Sequence, residues 1–546
     1  MKTSACLALA VGLLAAASGV AATPDSGKTL TYIHKAWPTL TRSLADCSAL
    51  ADSKVATHPL LYLPAGFPAP AELATTAKKC GVEVRTLPRR IAQIGDVQPA
   101  ELPRQGVLYL PNPYVVPGGF FNEMYGWDSY FIVLGLIADG HTELARGMVE
   151  NQLFEVEHYG AVLNANRSYY LTRSQPPFLS SMMRAVLDDA KSFRNKEDAQ
   201  AWLKRAYPLA VRDHDIWTSK PHQAGDTGLA RYFDYGDGPV PEFRDAKYLK
   251  DVIRWLRAHH PKDDPGYLIR AAEKPDDAEA AKLKETSCDV RASKVCADAW
   301  LDGYRLTADY YRGDRAMRES GFDVTFRFSP FAGSTHHFAP VCLNSLLFRY
   351  EEDLRDFAAR LGLDDEAKRW DVAAKARHAA IDKYLWQADQ GMYADYDAQA
   401  GKPSTYAYIS AFYPLWAGAA SKEQATAMQK KISLLERKGG LSMSTTDSGV
   451  QWDEPFGWAP TNWIAIAGLD RYGFHDDAQR LARKFLATID RGFAGDGTIR
   501  EKYNMVTGDA KVAIKAGYKD NVIGFGWTNG VYLKLTELLA AKPDVR

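Results

Sequence analysis

The chain carries no excess of either charge, because its 67 lysine and arginine residues balance its 67 aspartate and glutamate residues. Without surplus positive charge it has no overall field to hold a polyanion such as nucleic acid or an acidic membrane face. We therefore expect a small, neutral partner and no nucleic acid. With 46% hydrophobic residues in a length of 546, the chain is globular and can bury one very large core or roughly two to three ordinary ones.

Signatures of cofactor and metal chemistry are also missing. The sequence has no Gly-rich phosphate loop, no paired-histidine metal motif and no Gly-x-Ser-x-Gly elbow. The neighbours His336 and His337 fit a loop better than a metal site, and no cysteine spacing resembles a zinc site. The sequence therefore predicts no cofactor and no metal.

A long apolar run occurs at the N-terminus. Residues 1–27, MKTSACLALAVGLLAAASGVAATPDSG, place a lysine before an apolar stretch and small residues before a polar segment. This order is typical of a Sec signal peptide cut after Ala22, although the run borders on the length of a membrane anchor. No later segment is apolar enough to span. We expect a mature chain from Thr23 that is periplasmic or secreted, without membrane insertion after signal cleavage.

Cysteine is scarce, with six residues in all, and Cys6 lies inside the predicted signal. The mature chain would keep the other five cysteines. Because five is an odd number, at least one of them must be a free thiol or pair with another molecule. In an exported protein, bridges between Cys288 and Cys296 and between Cys47 and Cys80 are plausible, but the sequence alone leaves the pairing open.

Strand-like alternation is scarce, whereas helical spacing recurs along the chain. Over residues 341–361 apolar side chains return at helical spacing, and Asp364 with its acidic neighbours then opens a second helix towards Trp386. Residues 130–153 and 462–489 repeat this plan of apolar helix, glycine turn and amphipathic helix. Serial hairpins build an open solenoid or a closed toroid, and the irregular period with aromatic loops favours the toroid.

Several loop-like stretches combine aromatic rings with carboxylates, amides and arginines. A sugar ring offers C–H faces that stack on indole and phenol rings, and hydroxyls that need polar groups. One such stretch alone is most simply a core aromatic near a turn, but their repetition predicts a sugar pocket, with Trp127, Trp452, Trp458 and Trp527 as its indoles. The stretches are FFNEMYGWDSYF (120–131), NANRSYYLTRSQPP (164–177), RESGFDVTFRF (318–328), QWDEPFGWAPTNW (451–463), and IREKYN (499–504) with GFGWTNG (524–530).

Two of these stretches resemble the signatures of the trehalase family, the inverting glycoside hydrolases that split α,α-trehalose into two glucoses. PGGFFNEMYGWDSY (117–130) fits the first family signature except at Phe120, and QWDEPFGWAP (451–460) matches the second in full. The resemblance runs from about residue 37 to 533, nearly the whole mature chain.

The resemblance implies an all-α architecture, the (α/α)6 toroid, in agreement with the repeated hairpins. We expect a signal peptide at residues 1–22, an N-terminal helical and variable segment packed on the toroid at 23–105, and the catalytic toroid at 106–546. The expected protein is a monomer that takes a small neutral disaccharide and needs no cofactor.

Inverting hydrolysis needs a carboxylic acid that protonates the leaving oxygen and a carboxylate that activates water on the opposite face. By the resemblance, the acid is Asp323 in ESGFD and the base is Glu501 in REKYN. Without the resemblance, the simplest interpretation of Asp323 is a helix cap, and that of Glu501 is a solvated loop charge. Because Phe322, Phe326 and Phe328 flank the acid, we expect partial desolvation to raise the pKa of Asp323.

The resemblance carries over to the substrate pocket as well. Trp127 is expected as a ring platform and Asp128 as a hydroxyl acceptor, while Gly321 lets the chain come close to the ligand. The remaining substrate-binding residues are expected to be Asn164, Arg173, Ser174, Gln175, Glu242 and Trp452.

Three departures from the family pattern affect the substrate rather than the catalytic pair. Phe120 and Val240 stand where the family has substrate arginines, and residues 511–523 replace a Gly-rich loop that carries a glutamate. The candidate replacement cations are Arg244, Lys515 and Lys519. The first hypothesis is an exported trehalase, and the second is an inverting α-glucosidase on another small glucoside. The third is a non-catalytic sugar-binding toroid, against which the retention of both carboxyls argues.

Overall fold

The structure is a computed structural model that describes residues 26–50, 59–259, 265–514 and 521–541. The predicted signal peptide, Lys515 and Lys519 lie outside the described residues. The α-helices are α1 (Ser26–Leu40), α2 (Cys47–Leu50), α3 (Ala71–Cys80), α4 (Asp128–Ala138), α5 (Thr142–Tyr159), α6 (Leu179–Asp188), α7 (Lys196–Thr218), α8 (Lys247–His259), α9 (Asp277–Thr286), α10 (Lys294–Asp298), α11 (Ala308–Glu319), α12 (Val341–Arg360), α13 (Asp364–Ala380), α14 (Tyr413–Ala417), α15 (Lys422–Lys430), α16 (Ile432–Leu435), α17 (Ala459–Arg471), α18 (His475–Asp496) and α19 (Gly526–Ala540).

The strands are short and form small sheets between the helices. Within the described residues, no helix combines the length and apolar character needed to cross a membrane. The strands are β1 (Thr41–Arg42), β2 (Leu60–Leu63), β3 (Glu83–Thr86), β4 (Val107–Leu108), β5 (Tyr114–Val115), β6 (Leu268–Arg270), β7 (Tyr304–Leu306), β8 (Phe338–Ala339), β9 (Trp386–Gln387), β10 (Met392–Tyr393), β11 (Tyr396–Asp397), β12 (Lys402–Pro403), β13 (Glu436–Arg437), β14 (Gly440–Leu441), β15 (Phe456–Trp458) and β16 (Lys502–Asn504).

An inner ring of helices closes on itself. In order around the ring its members are α4, α6, α12, α14, α17 and α19; each packs against the next, and α19 returns to α4. The helices that alternate with them along the chain, α5, α7, α13, α15 and α18, belong to the outer layer together with α1, which packs on α18 and α19. The fold is therefore the mostly helical (α/α)6 toroid that the sequence predicted.

The helical hairpins expected from the spacing are present as α4–α5, α12–α13 and α17–α18. Gly140, Gly362 and Gly473 lie at their turns with positive φ, a conformation that glycine adopts without strain. Asp364 and its acidic neighbours begin α13, where the helix dipole favours negative charge. Local sequence therefore favours each hairpin through its glycine turn and its helix start.

The ring closes where α4 meets α19, and two glycines allow the contact. A Cβ on Gly135 of α4 would lie 2.3 Å from the Cα of Gly530 on α19, and a Cβ on Gly530 would lie 2.1 Å from the carbonyl oxygen of Phe131. A side chain at either position would push the two helices apart. The first and last inner helices therefore touch backbone to backbone.

The segment before the first inner helix contains a sheet that the sequence did not predict. Strands β3, β2 and β4 form a parallel sheet in that order, and α3 links β2 to β3. The disulfide Cys47–Cys80 joins α2 to α3. The central strand is LLYL, an apolar run too short to distinguish strand from helix by periodicity. The division of the chain at residue 105 stays a prediction, although α1 already belongs to the ring.

Between α7 and α12 the chain leaves the ring and forms a second apolar core, to which α8 and α11 both contribute. The disulfide Cys288–Cys296 lies in this insertion, so both pairs considered plausible from the sequence are bonded. Among the described residues Cys342 is a buried free thiol. Helix α11 is the last α-helix before the chain returns to the ring at α12, and it carries Arg318 near its end and leads to Asp323.

Candidate active site

A cavity of about 330 Å³ lies at the end of the toroid where the inner helices begin. Asp128 is the first residue of α4, Trp458 directly precedes α17, and Trp527 lies in the first turn of α19. Every aromatic stretch singled out from the sequence contributes to its wall. The lining residues are Pro117, Phe120, Phe121, Tyr125, Trp127, Asp128, Asn164, Tyr170, Arg173, Gln175, Glu242, Arg318, Gly321, Asp323, Gln451, Trp452, Trp458, Glu501, Phe525 and Trp527.

Asp323 follows α11, and its side chain is 40% exposed and lines this cavity. Burial raises the pKa of Asp323 to about 6, while the guanidinium groups of Arg318 and Arg173 oppose the rise. Nη1 of Arg318 lies 3.6 Å from Oδ2 of Asp323, and its Nε donates a hydrogen bond to Asp314 at 3.0 Å. Asp323 therefore keeps its proton to a higher pH than an ordinary aspartate.

Glu501 stands on another segment, next to strand β16. Its backbone N–H donates to the carbonyl of Val522 at 3.0 Å, and its own carbonyl accepts a bond from Nε1 of Trp527 at 3.2 Å. Strand β16 pairs with β15, which sets Lys502 opposite Trp458. Nζ of Lys502 is fully buried and lies 2.6 Å from Oε2 of Glu501. This ammonium favours the carboxylate form, the form that a general base needs.

Asp128 is a third carboxyl in the cavity, and its side chain is buried at the start of α4. Burial raises the pKa of Asp128 well above its ordinary value, and the charges of Glu501 and Asp323 raise it further. The three carboxyls are therefore electrostatically linked, so that the charge on any one of them affects protonation of the others.

Arg173 gathers the polar residues expected to bind substrate. Its Nε donates to Oδ1 of Asn164 at 2.7 Å, and its Nη2 donates to Oε1 of Glu242. Burial alone would raise the pKa of Glu242, but the guanidinium of Arg173 holds it below its ordinary value. Oε1 of Gln175 accepts a bond from the backbone N–H of Trp127 at 3.0 Å. The cluster offers donors and acceptors in fixed positions, as recognition of sugar hydroxyls requires.

Trp127 lies at the centre of the aromatic wall. The rings of Phe322, Trp452 and Trp527 have centroids 5.6, 5.9 and 5.6 Å from that of Trp127. Gly321 has a φ of +75°, and a Cβ there would lie 2.9 Å from Cε2 of Trp127. Gly321 lines the cavity, and its lack of a side chain lets Trp127 pack beside Asp323; the close approach to a ligand expected at Gly321 stays a prediction.

Some residues lie elsewhere than the sequence suggested. Ser174 is buried outside the cavity lining, and its hydroxyl donates to the carbonyl of Val162. Phe326 and Phe328 pack on other phenylalanines of the insertion, so they do not flank the carboxyl of Asp323. Of the three phenylalanines named in the sequence, only Phe322 packs on the aromatic wall of the cavity.

The two positions where the family has arginines and this chain does not differ in their place relative to the cavity. Phe120 lines the cavity, whereas Val240 is 1% exposed and lies outside the lining. Arg244 is exposed and also outside it. Arg318, to which the sequence analysis gave no role, provides a second guanidinium beside Arg173. Its position in RESGFD, the stretch that carries the acid, was the available signal.

Glu319 is a second residue that sequence reasoning missed. It is fully buried, and Oε1 accepts the backbone N–H of Ser174 at 3.3 Å while Oε2 accepts that of Phe233 at 2.6 Å. Nε2 of His222 lies 3.3 Å from Oε2. Glu319 therefore ties the loop of Arg173 to the segment that carries the acid. A single glutamate in a helix gives no sequence signal for such a tie.

Comparisons with known proteins find relatives that match most of the chain. A cytosolic neutral trehalase of Neurospora crassa is 34% identical over 91% of this chain and 71% of its own length. A cytosolic neutral trehalase of Saccharomyces cerevisiae is 34% identical over 91% of this chain and 69% of its own. The solved structure of a neutral trehalase from Saccharomyces cerevisiae matches with a TM-score of 0.77 at 32% identity, covering 94% of both chains.

These relatives also correct the predicted location. The expectation of a periplasmic or secreted protein depended on residues 1–22, which lie outside the described residues. Relatives that match most of the chain are named cytosolic, so the prediction of an exported protein is wrong. An apolar run followed by small residues is a pattern of composition, and such a pattern does not by itself establish export.

The fold, the cavity and the relatives lead to the same identification. A sequence model described as Trehalase matches residues 20–540, almost the whole length. The chain therefore belongs to the trehalase family of glycoside hydrolases.

Proposed function

We propose that this protein hydrolyses α,α-trehalose to two glucose molecules with inversion at the cleaved carbon. One observation carries the proposal. A single cavity holds an aspartic acid whose pKa is raised to about 6, Asp323, and a glutamate paired with a buried ammonium, Glu501. The names of the relatives, neutral trehalases, support trehalose as the substrate.

In this mechanism Asp323 is the general acid and Glu501 the general base. Asp323 gives its proton to the oxygen between the two sugars as the bond from that oxygen to the anomeric carbon breaks. Glu501 takes a proton from water, whose oxygen bonds to the same carbon from the opposite face. The products are one α-glucose and one β-glucose, and both carboxyls then exchange protons with solvent to restore the starting state.

The remaining lining residues would hold the cleaved glucose. Its C–H face would stack on Trp127, and its hydroxyls would bond to Asp128 and to the polar cluster around Arg173. Arg318, which contacts both Asp314 and Asp323, would donate to a substrate hydroxyl while limiting the rise of the pKa of Asp323. Ser174 would not contact the substrate but would hold the loop of Arg173 in place, since its hydroxyl donates to the backbone carbonyl of Val162.

Two isosteric variants test the catalytic pair. Asp323→Asn and Glu501→Gln should each lower kcat on trehalose by about 10² to 10⁴, the usual value of general acid or base help. Proton NMR of the first product should show β-glucose at the cleaved carbon. Glu537→Gln, on the exposed side of α19, is the matched control and should keep its rate. Near-normal rates in either variant, or α-glucose from the cleaved sugar, would reject the assignment.

A second candidate function is favoured by one feature of the cavity mouth. Phe120 lines the cavity with 52% of its surface exposed, and its ring packs edge-on to Phe121 with centroids 5.5 Å apart. An exposed aromatic ring binds an apolar or differently linked leaving group more readily than a belt of hydroxyls. The alternative substrate is therefore another small α-glucoside, cleaved by the same inverting chemistry.

Phe120→Arg distinguishes the two candidates. A charge-assisted hydrogen bond contributes about 1.5 to 3 kcal/mol, so the new guanidinium should raise trehalose kcat/KM about 10- to 100-fold if Phe120 limits trehalose binding. Phe120→Leu is the control for loss of the ring without added charge. The assay panel is trehalose, kojibiose and nigerose, with glucose release as the readout. A wild-type trehalose kcat/KM above about 10⁴ per molar per second that Phe120→Arg lowers would reject the second candidate.

A further inference from the structure

Outside the cavity, three side chains with metal-binding atoms converge on the surface of the insertion. His336 and His337 end the short helix Thr335–His337, and Asp309 lies in the first turn of α11. Nε2 of His336 lies 3.0 Å, and Nε2 of His337 3.3 Å, from the same atom, Oδ1 of Asp309. All three atoms lie within 4.8 Å of one another.

These separations fit a tetrahedral cation. Zinc binds imidazole nitrogen and carboxylate oxygen at about 2.0 to 2.2 Å, which puts neighbouring ligand atoms about 3.3 to 3.5 Å apart. The two nitrogen-to-oxygen separations are already close to this range. The imidazole rings of His336 and His337 have centroids 4.0 Å apart and planes tilted by 52°, and their ligand atoms lie within 4.8 Å of each other.

The backbone around the three ligands is tightly packed. The carbonyl of His336 accepts a bond from Nη1 of Arg231 at 2.8 Å, and the carbonyl of His337 accepts one from the backbone N–H of Ala398 at 3.0 Å. Helix α11 packs so closely on the same loop that a Cβ on Gly313 would lie 1.7 Å from a backbone carbonyl oxygen there. Ligands held by packed elements keep the geometry that a metal needs.

The cluster is also accessible from one side. The side chain of Asp309 is 51% exposed and that of His337 18%, whereas His336 is largely enclosed. Three protein ligands with room for water form the donor set of an open zinc site. Two imidazoles favour zinc and similar ions over calcium and magnesium, which prefer oxygen ligands. Because Arg231 lies beside His336, we expect weaker binding than in a site with four protein ligands.

We propose that Asp309, His336 and His337 bind a divalent transition-metal ion of the zinc class, with water completing the coordination. This assignment replaces the interpretation of the two histidines as a plain loop pair. The ion joins the start of α11 to the loop before β8. Arg318 lies nine residues further along α11, about 14 Å at the helical rise, so the metal holds the helix that leads to the acid and takes no part in the chemistry.

Isothermal titration of the full-length, chelator-treated protein with zinc chloride tests the proposal. The wild type should bind one equivalent, and Asp309→Asn and His337→Gln should each weaken binding at least about tenfold. His475→Gln is the matched control, since Nδ1 of His475 lies 2.7 Å from Oδ1 of Asp470 in an exposed pair without a third candidate ligand among the described residues. It should bind zinc as the wild type does.

Thermal unfolding gives a readout independent of heat of binding. Zinc should raise the Tm of the wild type and of His475→Gln but not that of His337→Gln, and circular dichroism should show that each variant is folded. Absence of one-equivalent binding by the wild type would overturn the proposal. Equal zinc binding by the wild type and His337→Gln, or equally strong binding of magnesium, would also overturn it.

Discussion

Asp323 and Glu501 line the same cavity, yet each meets its nearest cation in a different way. The guanidinium of Arg318 lies 3.6 Å from Asp323 and also bonds to Asp314, whereas the ammonium of Lys502 lies 2.6 Å from Glu501 and is fully buried. Burial disfavours the charged form of a carboxyl, and a close cation favours it. One cavity thus holds two carboxyls in different surroundings, Asp323 with a raised pKa and Glu501 against a buried ammonium.

The surroundings of Asp323, here called the acid side, and those of Glu501, the base side, are also built differently. The acid follows α11 at the end of the insertion and depends on Glu319 to tie it to the loop of Arg173. The base stands beside a strand pair, and α19 of the ring bonds to its backbone through Trp527. The base side is therefore part of the toroid, while the acid side is delivered to the toroid by a separate core.

Lys502→Met removes the cation of the base side and should have the largest effect. Taking one partner from a buried ion pair costs about 3 to 5 kcal/mol, because the other charge remains uncompensated. We expect a lower Tm and a loss of about 10² or more in kcat/KM below neutral pH, since Glu501 then takes up a proton more readily. The acidic limb of the pH profile should move to higher pH.

The control for this variant is Lys534→Met, which removes an ammonium from an exposed pair with Glu537 on α19. It should leave both the Tm and the pH profile almost unchanged, because surface ion pairs contribute little. If the acidic limb of Lys502→Met stays where the wild type has it, the difference drawn between the two sides is mistaken.

Gly321→Ala disturbs the acid side by geometry rather than charge. A Cβ at Gly321 would lie 2.9 Å from Trp127, and a φ of +75° strains an alanine by roughly 1 to 2 kcal/mol. We expect kcat/KM to fall about 10- to 100-fold, because displacement of a substrate platform by about 1 Å has effects of this size. Steady-state kinetics on trehalose measures it.

Gly362→Ala separates strain from displacement. Gly362 has a φ of +70°, but a Cβ there would meet nothing within 4 Å. Because the backbone strain is the same, this variant should lower the Tm as much as Gly321→Ala does. It should leave kcat/KM unchanged. Equal losses of activity in both glycine variants would mean that strain alone, and not the position of Trp127, determines the rate.

Arg318→Met should shift the pH profile, and because a donor to the substrate is lost it should also lower kcat/KM at the optimum by about tenfold, the smallest fall of the three. Arg318 lowers the pKa of Asp323, so its removal raises that pKa above about 6. The acid works only while protonated, and activity is lost as pH rises through its pKa, so the alkaline limb of kcat/KM should move to higher pH. Arg318→Lys keeps the charge and should keep the limb close to its wild-type position.

Arg312→Met is the matched control on the same helix, since Arg312 bonds to Asp237 outside the cavity. Its pH profile should equal that of the wild type. An alkaline limb that does not respond to Arg318→Met would assign that limb to another group of the cavity, with Asp128 as the first candidate.

The sequence predicted the ring because buried inner helices require a helical spacing of apolar residues, which α12 displays over its whole length. It missed the sheet around β2 because four apolar residues do not distinguish a strand from a helix. In the site, neighbouring loop residues face opposite ways, so Arg173 and Gln175 reach the cavity and Ser174 between them does not. The importance of Arg318 and Glu319 depends on partners distant in sequence, which spacing alone does not reveal.

The backbone contact between Gly135 and Gly530 has a consequence for synthesis on the ribosome. Asp128 emerges from the ribosome long before Trp527, yet both belong to one cavity. Until α19 arrives, α4 and α17 lack the helix that packs against both of them, and the apolar surfaces that it covers would be exposed, the kind of surface that chaperones bind. The nascent chain should therefore gain its activity in a single late step, and a chain that stops before Gly526 should have none.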